Sequence, residues 1–344
     1  MKQAVIEAEK NAIALALESF FKNCRPEKEL KRYQNIYVIG DDNFICDYFI
    51  SALNGVAFKS VCYVSAKDDS DYRLNTLNSQ NISVISAEDF NNIKTDKNLV
   101  FFFADTTAPQ RKDALPASLK AVENLLSAKK NSRCVVTVFL PKIEPFPGEV
   151  TSLAERELNF FMEKVCDENR ELQYYLQIEK ICRGFVRDGN LDITLLRFDN
   201  VFAPDRFHTP SFDLEKIVSD AVKTGKITIT DEDESLVTTA TYIRNACCAV
   251  FASAFKGLKG HIYNVAYDTV TISDIKRHIF NGYKDKFSLS ANLSGKAKKN
   301  YNALNNLVFS KLNIESVIPF KDAVGCTVAF LAGYHCPDIS ESNR

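Results

Sequence analysis

Glycine is scarce: the chain of 344 residues has twelve, about half the usual ~7%. Glycine lets a backbone approach a phosphate closely or adopt positive φ, so few positions here could form such a cradle. Tryptophan is absent, and the ten cysteines contain no CxxC pair. Cys247 and Cys248 are adjacent, and neighbours on a helix point in different directions. With only His208, His261, His278 and His335 as histidines, no metal-ligand spacing emerges and no metal is expected. There is no basic excess either: 43 Lys and Arg face 44 Asp and Glu. That excludes an electrostatic footprint for nucleic acid or an anionic membrane surface. The longest apolar runs, Leu99 to Ala104 and Ala246 to Phe255, are too short to span a bilayer. Glu7, Glu9 and Lys10 interrupt the apolar residues near the start, unlike a signal peptide. The expected location is the cytoplasm, with cysteines reduced and packed as small hydrophobes.

What is present is a regular alternation of strands and helices. Residues 2–22 predict an amphipathic helix, with Val5, Ala8, Ala12, Ile13, Ala16, Leu17, Phe20 and Phe21 near helical spacing. It reads as a cap on the main body rather than a partner-binding arm. From Asn35 short apolar runs predict buried strands at 35–40 (NIYVIG), 60–66, 82–87, 99–105, 133–140 and 192–198. Helices are predicted near 43–54, 113–129, 150–187 and 212–224. Continuous apolar strands separated by helices imply a parallel sheet covered on both faces, a doubly wound α/β fold. Beyond residue 200 the pattern mixes strands at 227–230 and 261–265 with helices at 242–256, 272–280 and 321–333. The expected organisation is a helix and linker (1–31), a Rossmann-like dinucleotide-binding domain (32–200) and a smaller interleaved substrate lobe (201–344).

Several short anchors carry a resemblance. They are Leu196-Arg197 with Asn200-Val201 and Pro204, then Tyr242-Ile243, Tyr263-Asn264-Val265, and Ser310-Lys311-Leu312 before Pro319. Their order and spacing, from about Tyr33 to Phe320, resemble the extended short-chain dehydrogenases/reductases, the NAD-dependent nucleotide-sugar epimerases and dehydratases. An N-terminal helix before the first strand resembles a subgroup found in surface-polysaccharide synthesis. The resemblance implies a Rossmann sheet of seven parallel strands with a smaller mixed α/β C-terminal lobe. It also implies five local devices, each of which departs from the family's pattern.

The first is a GxxGxxG turn, where glycines admit a pyrophosphate to a helix N-terminus. Here only Gly40 remains, with Asn43 and Cys46 at the other positions and Asp41-Asp42 adding negative charge. Asp42 or Asn43 reads as a helix N-cap. The second is a ribose-selecting residue after strand two, where Asp68 and Asp69 stand in a charged loop. The third is the catalytic YxxxK, in which lysine lowers the tyrosine pKa. Lys180 is present, but Leu176 stands four residues before it and Tyr175 five; a local bulge would be needed to bring Tyr175 into place. The fourth is a serine or threonine at the end of strand five, for which Thr137 is the candidate. The fifth is a phosphate-gripping arginine, replaced by Thr238.

By resemblance, any cofactor would be NAD or NADP, bound weakly through Gly40, Asn43, Phe44, Ala104 and Lys180. Asn200 and Asn264 would face a nucleotide sugar, and Tyr175 with Lys180 would carry residual catalysis. The leading expectation is a relative with reduced or absent catalysis in nucleotide-sugar or surface-glycan metabolism, in a binding or partner-support role. The alternatives are an active enzyme using Tyr175 and Lys180, and an NADP-sensing regulator. Apolar stripes on the helices after strands four and five (Leu115, Leu119, Val122, Leu125, Leu126; Leu153, Leu158, Phe160, Phe161, Val165) suggest a homodimer or a heterodimer with an active paralogue.

Overall fold

The computed structural model describes residues 2–24, 33, 35–40, 43–53, 61–65, 82–93, 97–107, 109, 115–127, 132–141, 169–295, 300–301, 304, 307–315 and 317–334. Helix α1 (Lys2–Cys24) precedes a unit of strands and helices: β1 (Ile36–Ile39), α2 (Phe44–Leu53), β2 (Val61–Ser65), β3 (Ser83–Ser86), α3 (Ala87–Asn92), β4 (Leu99–Phe103), α4 (Leu115–Ser127), β5 (Arg133–Phe139), α5 (Arg170–Arg187) and β6 (Asp192–Phe198). The short hairpin of β7 (Val201–Phe202) and β8 (Phe207–His208) leads to α6 (Leu214–Thr224), β9 (Lys226–Thr230), β10 (Leu236–Tyr242) and α7 (Ile243–Lys256). Then come β11 (Ile262–Val265), β12 (Asp268–Thr271), α8 (Ile272–Gly282), β13 (Ser288–Asn292) and α9 (Phe320–Ala332).

The central sheet has the order β11-β6-β5-β4-β1-β2-β3, and every pairing in it is parallel. β1, β4 and β5 are buried at every residue. That burial is why β1 and β4 read as unbroken apolar runs rather than alternating ones, with β5 interrupted only by Arg133 and Thr137. The expected doubly wound fold is what the chain forms. β11 follows the small lobe in sequence yet returns to the sheet edge, so the two lobes share the chain's path. The small lobe holds a mixed sheet ordered β12-β10-β7-β8, and β13 pairs with β9 beside it.

Helix α1 packs on α2, α7 and α9. Ile13, Leu17 and Phe20 are buried beneath it, and the Phe20 ring meets Phe251 edge-on at 5.9 Å. Glu9 is buried on the same face. Its carboxylate accepts from Arg244 Nε (2.8 Å), Arg244 Nη2 (2.9 Å) and the Tyr242 hydroxyl (3.1 Å). The helix is therefore a third layer of the core, in agreement with a capping role.

On α4, Val122, Leu125 and Leu126 are buried by the chain itself and Leu119 is half-buried. The first stripe expected to meet a partner thus mostly faces inward, where an apolar helix face covers its own sheet. The second stripe, 153–165, lies outside the described residues. Cys46, Cys134, Cys182, Cys247, Cys248 and Cys326 are buried free thiols. Burial pushes the Cys134 and Cys248 thiols up to about 12, which suits inert packing. Among the described residues no helix is long and apolar enough to cross a membrane, and no cluster of three or more His, Cys, Asp or Glu could hold a metal ion.

Candidate functional site

In an open parallel sheet the binding crevice lies beyond the carboxyl ends of the strands. Here those ends are Gly40 after β1, Ala104 and Asp105 after β4, Leu140 after β5, and Asp199 and Asn200 after β6. Gly40 is required for packing. A Cβ there would stand 2.7 Å from Phe103 Cβ and 3.2 Å from Cys46 Cβ and Sγ. The space that a family glycine would open beside the turn is taken by the Cys46 side chain.

Asn43 immediately precedes α2 and is buried. Its Oδ1 accepts from the backbone N–H of Ile45 (3.0 Å) and Cys46 (3.4 Å), and its Nδ2 donates to the Ala104 carbonyl (2.9 Å). Free N–H groups at a helix N-terminus are what hold a phosphate. In this chain two of them are satisfied by its own amide, and the same amide fixes the helix to the end of β4. Of the two expected caps Asn43 is the one seen; Asp41 and Asp42, like Asp68 and Asp69, lie outside the described residues.

Aromatic side chains fill the neighbouring space. Phe44 stands 6.0 Å from Phe139, which stands 6.0 Å from Phe198 and 4.5 Å from the His208 ring. His208 Nε2 donates to the Leu140 carbonyl at 3.0 Å. Burial lowers its pKa to about 4, so the imidazole is neutral and serves as a hydrogen-bond donor to the loop after β5.

The helix α5 is α-helical throughout 170–187, with no bulge. Tyr175 is 1% exposed, whereas Lys180 is exposed to solvent. The two are therefore not brought together. The Tyr175 hydroxyl has no hydrogen-bond partner. Burial raises its pKa, and the carboxylates of Glu171 and Asp105 raise it further. A catalytic lysine would do the reverse. The charged pair that α5 does make is structural: Arg197 on β6 donates from Nε and Nη2 to the two oxygens of Glu179, each at 2.6 Å, and both side chains are buried.

The other sequence candidates are committed to the fold. The Thr137 hydroxyl donates to the Phe102 carbonyl (3.5 Å) inside the sheet. Asn200 Nδ2 donates to Thr238 Oγ1 (3.1 Å) and the Thr239 carbonyl (2.8 Å), while its Oδ1 accepts from the Ser211 N–H (3.0 Å). It joins the end of β6 to β10 and to the loop before α6. Asn264 is buried on β11, in register with Arg197. Thr238, where a phosphate-gripping arginine would stand, is buried against Asn200.

Sequence reasoning missed Asp199. It is buried, accepts from the Thr239 hydroxyl and from Asn200 Nδ2 (3.4 Å), and leaves Oδ1 without a partner. Burial raises its pKa to about 7, against the hydrogen bonds that lower it. The available signal was a charged residue between the apolar run ITLLRF and Asn200-Val201, a position that only a buried strand end would explain.

A cavity of about 150 Å³ lies between α5 and the β11 edge, lined in part by Cys182, Val186, Leu195 and Ile262. Another, of about 410 Å³, lies in the small lobe among α6, β9 and α8. Neither is lined by Gly40, Asn43, Phe44, Ala104, Tyr175 or Lys180. A dinucleotide needs a glycine-opened turn with free N–H donors, and the residues described at the β1–α2 junction do not fit one.

No family model matches the chain and no curated protein matches it. Solved structures do. UDP-glucuronic acid 4-epimerase from Bacillus cereus in complex with NAD is 14% identical, with a TM-score of 0.61 over 89% of this chain and 98% of that one. A dTDP-glucose 4,6-dehydratase from Streptomyces venezuelae with NAD and TYD bound is 13% identical, with a TM-score of 0.60 over 86% and 96%. RMD from Pseudomonas aeruginosa complexed with NADPH is 11% identical, with a TM-score of 0.59 over 87% and 99%. At these identities the likeness establishes the fold: the chain has the sheet and two-lobe architecture of nucleotide-sugar epimerases and dehydratases.

Proposed function

We propose that the chain is an epimerase/dehydratase-like protein of nucleotide-sugar or surface-glycan metabolism in which catalysis is reduced or absent. Its role is then binding or the support of a partner, as a homodimer or beside an active paralogue. The observation that carries this reading is the Asn43 amide, which occupies helix-terminal donors that a pyrophosphate would use. The separation of buried Tyr175 from exposed Lys180 on an unbroken helix supports it, because a phenol without a cation beside it stays protonated at neutral pH. NAD and NADP are expected to bind weakly if at all.

Isothermal titration with NAD and NADP tests this. The expected outcome is no saturable binding at low micromolar protein, and submicromolar affinity for either would overturn it. In a paired experiment, Asn43→Gly together with Cys46→Gly should strengthen binding by freeing the α2 terminus. Glycine costs about 1 kcal/mol at the helical Cys46 position, and Asn43→Gly also removes the cap, so circular dichroism should first show the variant folded.

A further inference from the structure

The cavity of about 150 Å³ beside α5 lies toward the amino ends of β6 and β11, away from the cleft at the carboxyl ends of the strands. Two periodicities build it. On α5, Glu179, Cys182, Arg183 and Val186 follow i, i+3, i+4 and i+7 and share one face, with Arg187 one turn beyond Arg183. On the sheet, Ile193 and Leu195 alternate to the side of β6 that also carries Arg197, and Ile262 of β11 stands in register with Leu195. Cys182, Ile193 and Leu195 are buried, and Val186 and Ile262 are half-buried. Together they make an apolar well. Gly260 shapes its edge: φ there is +74°, and a Cβ would stand 3.0 Å from Val186 Cγ1. A scarce glycine thus lets the turn before β11 come against α5.

The charge is at the mouth. Arg183 and Arg187 line the cavity with side chains 56% and 81% exposed. Arg187 Nε donates to Asp188 Oδ1 at 3.2 Å. Arg183 reaches Glu179 only at 3.9 Å, and both Glu179 oxygens already accept from Arg197. Setting Asp188 against Arg187 and Glu179 against Arg197 leaves the Arg183 cation uncompensated.

We propose that this cavity binds a small carboxylic acid as its anion, with an apolar ring or short acyl chain in the well and the carboxylate held at the mouth by Arg183 and Arg187. An apolar lining with a few polar groups at its edge is what such a ligand requires. The volume is about that of an engineered apolar cavity that admits benzene. A guanidinium fork matches a carboxylate, and one uncompensated positive charge matches its single negative one better than a phosphate dianion. None of Gly40, Asn43, Phe44, Ala104, Tyr175 and Lys180 lines this cavity, so the site goes beyond the proposed function and stands or falls apart from it.

The test is methyl NMR of the full chain titrated with benzoate, with benzamide as its neutral counterpart and benzylammonium as its cationic one. Benzoate should give saturable shifts at the methyls of Val186, Ile193, Leu195 and Ile262. It should bind several-fold more tightly than benzamide, the scale of an exposed ion pair, and that advantage should shrink as salt is raised. Benzylammonium should bind weakest. Arg183→Gln with Arg187→Gln changes only exposed side chains, so the fold should persist while benzoate falls to the affinity of benzamide. Val186→Phe, which fills the well, should remove binding of both. If that variant does not fold, the arginine pair still decides. No saturable shift at these methyls with benzoate, benzylammonium binding as tightly as benzoate, or an unchanged preference for benzoate in the double arginine variant would overturn the assignment.

Discussion

Glu179→Ala should destabilise the protein by about 3–5 kcal/mol, read as a fall in the denaturant midpoint at constant slope. Arg197 is fully buried, and both oxygens of Glu179 lie 2.6 Å from its guanidinium nitrogens. Removing the carboxylate leaves a buried cation without its counter-charge, and a guanidinium cannot shed its proton to escape. Arg183, 3.9 Å from Glu179, is also a cation and cannot substitute. Replacing the pair together, as Glu179→Leu with Arg197→Met, should cost far less, because well-packed apolar residues remove the desolvation penalty along with the attraction. A double variant as unstable as the single one would show that packing, not the unpaired charge, sets the loss. This outcome matters for function, since Glu179 and Lys180 are neighbours on the helix that resembles a catalytic one. Its charged residue with a buried role is Glu179.

Asp199→Asn should abolish a large part of the pH dependence of stability between about pH 4 and pH 7. Burial raises the Asp199 pKa from the ordinary 3.8 to about 7. Below the unfolded value both states are protonated and the residue adds no pH dependence. Between the two values the folded protein keeps a proton that the unfolded chain releases, so stability falls as pH rises. Above about 7 the full cost is present, on the order of 4 kcal/mol for such a rise. Wild type should therefore be more stable at pH 5 than at pH 8 through this group, and Asp199→Asn should lose that part of the difference. The absolute gain of the variant at pH 8 will be smaller, because the new amide N–H₂ meets the unpartnered side of the site at a cost of about 1–3 kcal/mol. Denaturant melts of both proteins at pH 5 and pH 8 decide the matter; parallel pH profiles would remove Asp199 as the titrating group. Asp268, also raised to about 7 by burial, adds a slope of the same sign that both proteins share, so the Asp199 contribution is the difference between the two profiles.

The scaffold was legible because its signal is local. IYVI and LVFFF are unbroken apolar runs and RCVVTVF is interrupted only by Arg133 and Thr137, and each forms a fully buried parallel strand. The strand Leu236–Tyr242 was not expected as one, since Thr238, Thr239 and Thr241 make it polar. Thr238 and Thr239 are satisfied by Asn200 and Asp199, some forty residues earlier, and Thr241 donates to the Val265 carbonyl. Such long-range pairing leaves no trace in a local pattern. The same holds for Glu9, whose partner Arg244 is 235 residues away. At the cleft, the helix cap was legible from an asparagine ahead of an apolar helix. The displaced tyrosine was legible from a spacing of five where the family has four. The unpartnered carboxyl of Asp199 was not, because its burial is created by small-lobe strands that cover it only after folding.

We propose that the scaffold has been kept while its dinucleotide site has been lost. A protein that holds its cofactor tightly carries it through purification, because tight binding also stabilises the folded state. Mass spectrometry of the denatured, freshly purified protein, with an active epimerase treated in parallel, tests this most directly. The expected spectrum contains the chain with no stoichiometric NAD or NADP in either redox state, while the control releases its cofactor. Near-stoichiometric NAD or NADP released from this chain would contradict the loss of the site.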